Sequence, residues 1–136
     1  MQNASFSIVN YQFDKVSIDL TNHKNANLST FFDTSGIFIS ENSIYELTFL
    51  VKVFNNEDKE NPFISVRCKG IFKFENVSTL DQIPDFFYRN CIAILFPYVR
   101  AYISLVTTQA NVPGIILPTY NLSNLEEGLR KNTSIK

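Results

Sequence analysis

The chain has 136 residues, with 12 Lys plus Arg against 13 Asp plus Glu and a formal net charge of −1. That is the size of one domain, and the charge balance excludes a bulk electrostatic partner such as nucleic acid or an anionic membrane. Apolar residues make up 45% and charged residues only 18%, and 13 Phe and 6 Tyr give more apolar surface than one small core hides, so part of it is expected between subunits or against a ligand.

The first half of the chain alternates with the period of a sheet. Within residues 5–20, Val9, Tyr11 and Phe13 share one phase and Val16, Ile18 and Leu20 the other. The switch across Asp14-Lys15 predicts a β-bulge or a strand that changes the face it buries. Residues 21–26 (TNHKNA) read as a polar loop, and the apolar run from Gly36 to Ile39 as a small strand or a crossing segment. Residues 44–54 put Tyr45, Leu47, Phe49, Val51 and Val53 on one face. The charged turn 55–62 (NNEDKENP) then predicts a hairpin into residues 63–75, with Ile64, Val66, Cys68, Phe72 and Phe74 set against Phe63, Ser65, Arg67 and Lys69. Three to four antiparallel, meander-connected strands follow from this pattern.

The second half changes period. Ser78-Thr79-Leu80-Asp81 reads as a helix entrance, and Phe86, Phe87, Asn90, Ile94, Tyr98 and Ala101 recur at helical spacing, as do Ile92, Phe96 and Ile103. The helix is apolar over most of its circumference, so a sheet is expected on one side and another subunit on the rest. Pro97 inside it is expected to kink or interrupt it. A loop over residues 111–120 holds Val112, Ile115, Ile116 and Leu117. A short terminal helix is predicted from about residue 121 through Leu129, ending in a frayed basic tail. Residues 101–125 carry no charge, but Pro113, Gly114 and Pro118 among many polar residues make this a loop rather than a membrane span. The fold class is therefore α+β, one domain over residues 1–136, with an antiparallel sheet first and helices after it.

Candidate chemistry is sparse. Cys68 and Cys91 make no disulfide framework, and His23 is the single histidine, so neither a zinc site nor a nucleophile–base pair can be assembled; no cofactor and no metal is expected. Four glycines build no phosphate-cradling loop. Arg67, Lys69 and Lys73 share a strand phase, as solvated faces commonly do. The opening residues MQNASFSIVN lack a basic region followed by an apolar stretch, which predicts a cytoplasmic protein without a signal peptide. A binding module is favoured over an enzyme. The proline-flanked Ile115-Ile116-Leu117 loop points to a surface for apolar polypeptide segments.

The run Cys91-Ile92-Ala93-Ile94-Leu95-Phe96-Pro97-Tyr98-Val99-Arg100, followed by Ile103-Ser104, closely resembles the signature helix of the SecB protein-export chaperones. Gly70-Ile71-Phe72 at a strand end, Tyr45-Glu46 before a long strand, and residues 113–125 (PGIILPTYNLSNL) match the same family in order, so the resemblance spans roughly residues 9–129. It implies a four-stranded antiparallel sheet with a long helix and a shorter C-terminal helix. It also implies a homotetramer, a dimer of dimers with the long helices buried between sheets. The activity implied is ATP-independent holding of unfolded polypeptide clients in hydrophobic grooves, in support of protein export.

Joined to the exposed-apolar argument, the resemblance places the client groove at Ile37, Phe38, Ile39, Leu47, Phe49, Ile115, Ile116, Leu117 and Tyr120. Phe96, Pro97, Tyr98 and Arg100 are read as structural, serving helix geometry and assembly. Ser65 and Lys15 stand where the family carries acids that engage the SecA motor, while Asp19 stands at a third such position, and the motor-docking tail is expected to be missing after the last helix. These departures put delivery to SecA in question. Two further readings stay open: a SecB-like chaperone dedicated to one partner such as an antitoxin, and a structural oligomer that lost client binding.

Overall fold

The computed structural model describes residues 4–112, 115, 117 and 122–136. Strand β1 (Ser5–Ile18) pairs antiparallel with β4 (Ile64–Glu75), which pairs with β3 (Ile44–Asn55), which pairs with β2 (Leu28–Ile39). A last short strand, β5 (Thr133–Ile135), lies parallel to β2 on its outer edge, giving the order β1-β4-β3-β2-β5. The sheet thus has five strands and is mixed, rather than four-stranded and antiparallel. The expected frayed tail is this fifth strand, because its backbone satisfies an edge that β2 would otherwise leave open.

The phase switch in β1 is a break of register between Phe13 and Lys15, and a second break falls between Ile8 and Asn10. Strands β3 and β4 alternate strictly between buried and half-exposed or exposed positions, as their sequences predict. Strand β2 is longer than the apolar run Gly36–Ile39, beginning at Leu28. Buried Asn55 closes the far end of this hairpin. Its Oδ1 accepts from the Lys24 N–H at 2.6 Å and its Nδ2 donates to the Asn25 carbonyl at 2.8 Å, so one side chain anchors the polar loop before β2.

Helix α1 (Asp85–Gln109) covers one face of the sheet. The predicted entrance at residues 78–81 forms a single 3-10 turn, Leu80–Gln82, closed by a capping box between Thr79 and Gln82. Pro97 does not interrupt α1. Both Pro97 and Ala93, whose carbonyl loses its helical donor, are exposed, so water can serve the freed oxygen. The buried face of α1 includes Phe87, Cys91, Leu95, Phe96, Val99 and Ile103.

Phe87 is the hub of the core: its ring centroid lies 4.6 Å from Phe74, 4.8 Å from Phe6 and 4.8 Å from Tyr45. A 3-10 turn, Leu122–Leu125, leads into α2 (Glu126–Lys131). Arg130 pins α2 to the start of α1 through Asp85 (Nη1–Oδ1 2.7 Å) and stacks 4.7 Å over the Tyr88 ring.

Candidate functional site

The groups that could do covalent chemistry are packed away or dispersed. Cys68 and Cys91 are buried thiols; loss of solvent pushes Cys68 up to about 11 and Cys91 further in the same direction, so neither is a thiolate at neutral pH. His23 packs edge-on against Phe63 with centroids 5.0 Å apart. Among the described residues no three His, Cys, Asp or Glu side chains gather where they could hold a metal ion.

The face of the sheet opposite α1 carries a different kind of surface. Register sets Lys15 beside Arg67, Phe31 beside Lys52, Ser29 beside Phe54 and Ile37 beside Glu46. Asp14, at the β1 bulge, accepts two bonds from Arg67 (Nε 2.9 Å, Nη2 2.6 Å), and Lys69 bridges Asp14 and Glu46 at 3.9 and 3.2 Å. The Arg67 hydrogen bond holds the Asp14 carboxyl below its ordinary range.

Near the β2 edge, Ser29, Thr30, Phe31, Lys52, Phe54 and Lys59 line an open depression of about 400 Å³. Phe31 is 48% exposed there, a large aromatic beside two lysine stems. The lining combines two phenylalanines, two hydroxyl side chains and two lysines.

The residues read from sequence as a client groove are divided by the fold. Ile37 and Ile39 are half-buried near the end of β2. Phe38, Leu47 and Phe49, on the opposite phase, are fully buried, because they point into the layer between sheet and α1. Ile115 and Leu117 are buried as well. The Ile115 N–H donates 3.0 Å to the Thr107 hydroxyl, which fixes that segment to the last turn of α1. Ile116 and Tyr120 lie outside the described residues. In the set read as structural, Phe96 is buried, Arg100 is half-buried and Pro97 is exposed. Tyr98 is 40% exposed and stacks on Tyr11 at 4.2 Å.

Of the three positions compared with family acids, Ser65 faces Ser17 and Lys15 faces Arg67. Asp19 uses its carboxylate to cap Thr21 at 3.1 Å, which engages it locally. The depression at Phe31 and the β5 edge escaped the sequence reading. The mixed polarity of residues 28–35 conceals the first, and a three-residue strand carries no periodicity to reveal the second.

The family model for SecB, preprotein translocase subunit, matches residues 6–128 of this sequence. The chain belongs to the SecB family. Its SecB-family relatives include the protein-export protein SecB of Methylobacillus flagellatus, 35% identical over 86 residues, covering 62% of this chain and 54% of that one. The protein-export protein SecB of Acinetobacter baumannii is 32% identical over 78 residues, covering 57% and 51%. An uncharacterised protein of Methanocaldococcus jannaschii is 38% identical over 92 residues, covering 62% and 59%. The chain thus spans little more than half the length of the curated relatives it matches.

Among solved structures, the SecB-like chaperone Rv1957 of Mycobacterium tuberculosis, determined with a ChAD peptide from the HigA1 antitoxin, shares the fold. The TM-score is 0.67 at 12% identity, over 85% of this chain and 88% of that one. In this SecB-family chain the signature residues Leu95, Phe96 and Val99 are buried, Pro97 is exposed, and Tyr98 is partly exposed against Tyr11 of β1.

Proposed function

We propose that this protein is an ATP-independent holdase that binds non-native polypeptides in the cytoplasm as a homotetramer, a dimer of dimers. The observation that carries the reading is the apolar surface left by a single SecB-family chain. Phe31, Ile37 and Ile39 lie on or beside the outer β2 edge, and Phe86, Tyr98 and Leu105 (56% exposed) are large exposed apolar residues of α1, Tyr98 stacking at its side on Tyr11. The α1 set suits burial between subunits. The β2 set suits clients, with Phe38, Leu47 and Phe49 as the packed floor beneath.

Burying one client Leu or Phe gains about 1.5–3 kcal/mol. Four copies of a weak site then give avidity through effective concentration. Lys52 and Lys59, which line the depression at Phe31, favour clients with acidic residues beside their apolar runs.

A second reading is a chaperone dedicated to one partner such as an antitoxin. It is favoured by the fold shared with a SecB-like chaperone seen with an antitoxin peptide, and by the lysine and serine at two positions compared with SecA-engaging acids. Support for export is retained only in the first reading.

The test is the light-scattering mass of the purified protein, alone and with a carboxymethylated, permanently unfolded polypeptide. A mass near four subunits that takes up this client supports general holding. A tetramer that ignores it but binds one cognate partner supports the dedicated reading. A tetramer that binds neither overturns both and leaves a structural oligomer, and a monomer overturns all three. Ile37→Asp with Ile39→Asp should abolish client uptake with the mass unchanged, whereas Tyr98→Asp should lower the mass by burying an unpaired charge in the assembly.

A further inference from the structure

Strand β5 adds little to the core. Ser134 and Ile135 are exposed, Ile135 at 62%. What holds the strand is backbone: the Gly36 N–H donates to the Asn132 carbonyl at 3.1 Å, and the Lys136 N–H to the Phe38 carbonyl at 2.9 Å. Its one deep anchor is its first residue. The Thr133 hydroxyl donates to the Leu129 carbonyl at 2.7 Å and lies 2.6 Å from the buried Tyr45 hydroxyl, which is then the donor to it. Thr133 therefore belongs to the end of α2, and the residues after it belong to the edge. Attachment through main-chain bonds alone is the mode by which an extended segment of another polypeptide adds to a sheet.

The register sharpens this. β5 sets Ser134 beside Ile37 and leaves that half-buried isoleucine without an apolar neighbour from the edge. Upstream, β2 continues from Ser35 back to Leu28, past the exposed Phe31, with no further described strand outside it. An incoming strand with alternate apolar side chains would cover both Phe31 and Ile37, which β5 does not.

We propose that β5 is a displaceable occupant of the β2 edge, competing with extended apolar segments of non-native polypeptides for the Gly36–Phe38 backbone and peeling away after Thr133 when one binds. This rests on the holding function proposed above and adds to it an internal competitor that raises the threshold for binding. Segments that present a large apolar residue opposite Ile37 displace Ser134; polar ones do not.

The experiment is residue-resolved amide exchange on the full chain, without and with the carboxymethylated polypeptide, alongside its affinity for the wild type and for Lys136→Pro, which removes the donor to Phe38. Client binding should cost the Ser134 and Lys136 amides at least tenfold in protection while the Gly36 amide stays protected. The Lys136→Pro protein should bind at least threefold more tightly. If that variant does not fold, exchange on the wild type decides alone. Bound client with Ser134 and Lys136 protected as before overturns the competition and leaves the holding function standing. No binding to the wild type overturns the holding function, and the competition with it.

Discussion

Replacing Gly36 with alanine separates two opposed effects by sign. Gly36 has no positive φ, so its backbone suits any residue, and alanine would by itself stabilise the fold by about 0.4–1 kcal/mol through the unfolded chain. The added Cβ, however, would stand 1.9 Å from the Tyr45 hydroxyl oxygen, 2.3 Å from Cζ and 2.7 Å from Cε1. Tyr45 is fully buried and cannot swing into solvent. Relieving such overpacking costs about 1–3 kcal/mol, and shifting the ring off Thr133 forfeits a hydrogen bond of about 0.5–1.5 kcal/mol. The net expectation is a loss of about 0.5–4 kcal/mol.

Gly128→Ala is the internal control. Nothing lies within 4 Å of its added Cβ, in the middle of α2, so it should gain up to about 1 kcal/mol. Urea unfolding at one fixed protomer concentration, which removes mass-action effects, reads both. Gly36→Ala as stable as the wild type, or more so, would refute the argument that the glycine exists to let the Tyr45 ring pass beneath β2.

Other outcomes follow from single side chains. Thr107→Val keeps shape but leaves the buried Ile115 N–H without its acceptor; a loss of about 1–3 kcal/mol is expected, with faster exchange of the Ile115 amide. Pro97→Ala restores a helical N–H at an exposed position of α1 and should gain up to about 3 kcal/mol by urea midpoint, with helix content unchanged by circular dichroism. Burial raises Cys68 from its ordinary 9.0 to about 11 and pushes Cys91 and Tyr45 up as well. The folded protein holds these protons where the unfolded chain releases them, so their contribution is whole below pH 9 and fades as the pH climbs towards 11. A urea midpoint that stays flat from pH 8 to 11 would contradict it.

What could be read from the residues alone was whatever repeats. The strict alternation of Tyr45, Leu47, Phe49, Val51 and Val53 specifies β3 and its buried face, and the phase switch at Asp14 locates a bulge to the residue. β2 was shortened because Phe31 and Phe32 put aromatics on both faces while Asp33 and Thr34 interrupt the apolar pattern; Thr34 is nevertheless buried. β5 depends on a contact between Tyr45 and Thr133, 88 positions apart, which no local rule contains. The candidate surface was half legible for a related reason. Sequence marks Phe38, Leu47 and Phe49 as large and apolar, but only the position of α1 decides that they are covered and that Ile37 and Ile39 are not fully so.

The pairing of the first strand with the fourth has a consequence for synthesis. Asp14 in β1 meets Arg67 in β4, 53 positions later in the chain, and at roughly 5–20 residues per second that interval lasts on the order of 3–10 s. Strands β2, β3 and β4 can form their hairpins in turn as they emerge. β1, with Phe6, Ile8, Val9, Tyr11 and Phe13, has to wait as an extended apolar segment outside the ribosome. For those seconds the nascent chain displays the same kind of segment that its finished fold is proposed to shelter, so newly made copies compete with other substrates for the molecules already assembled.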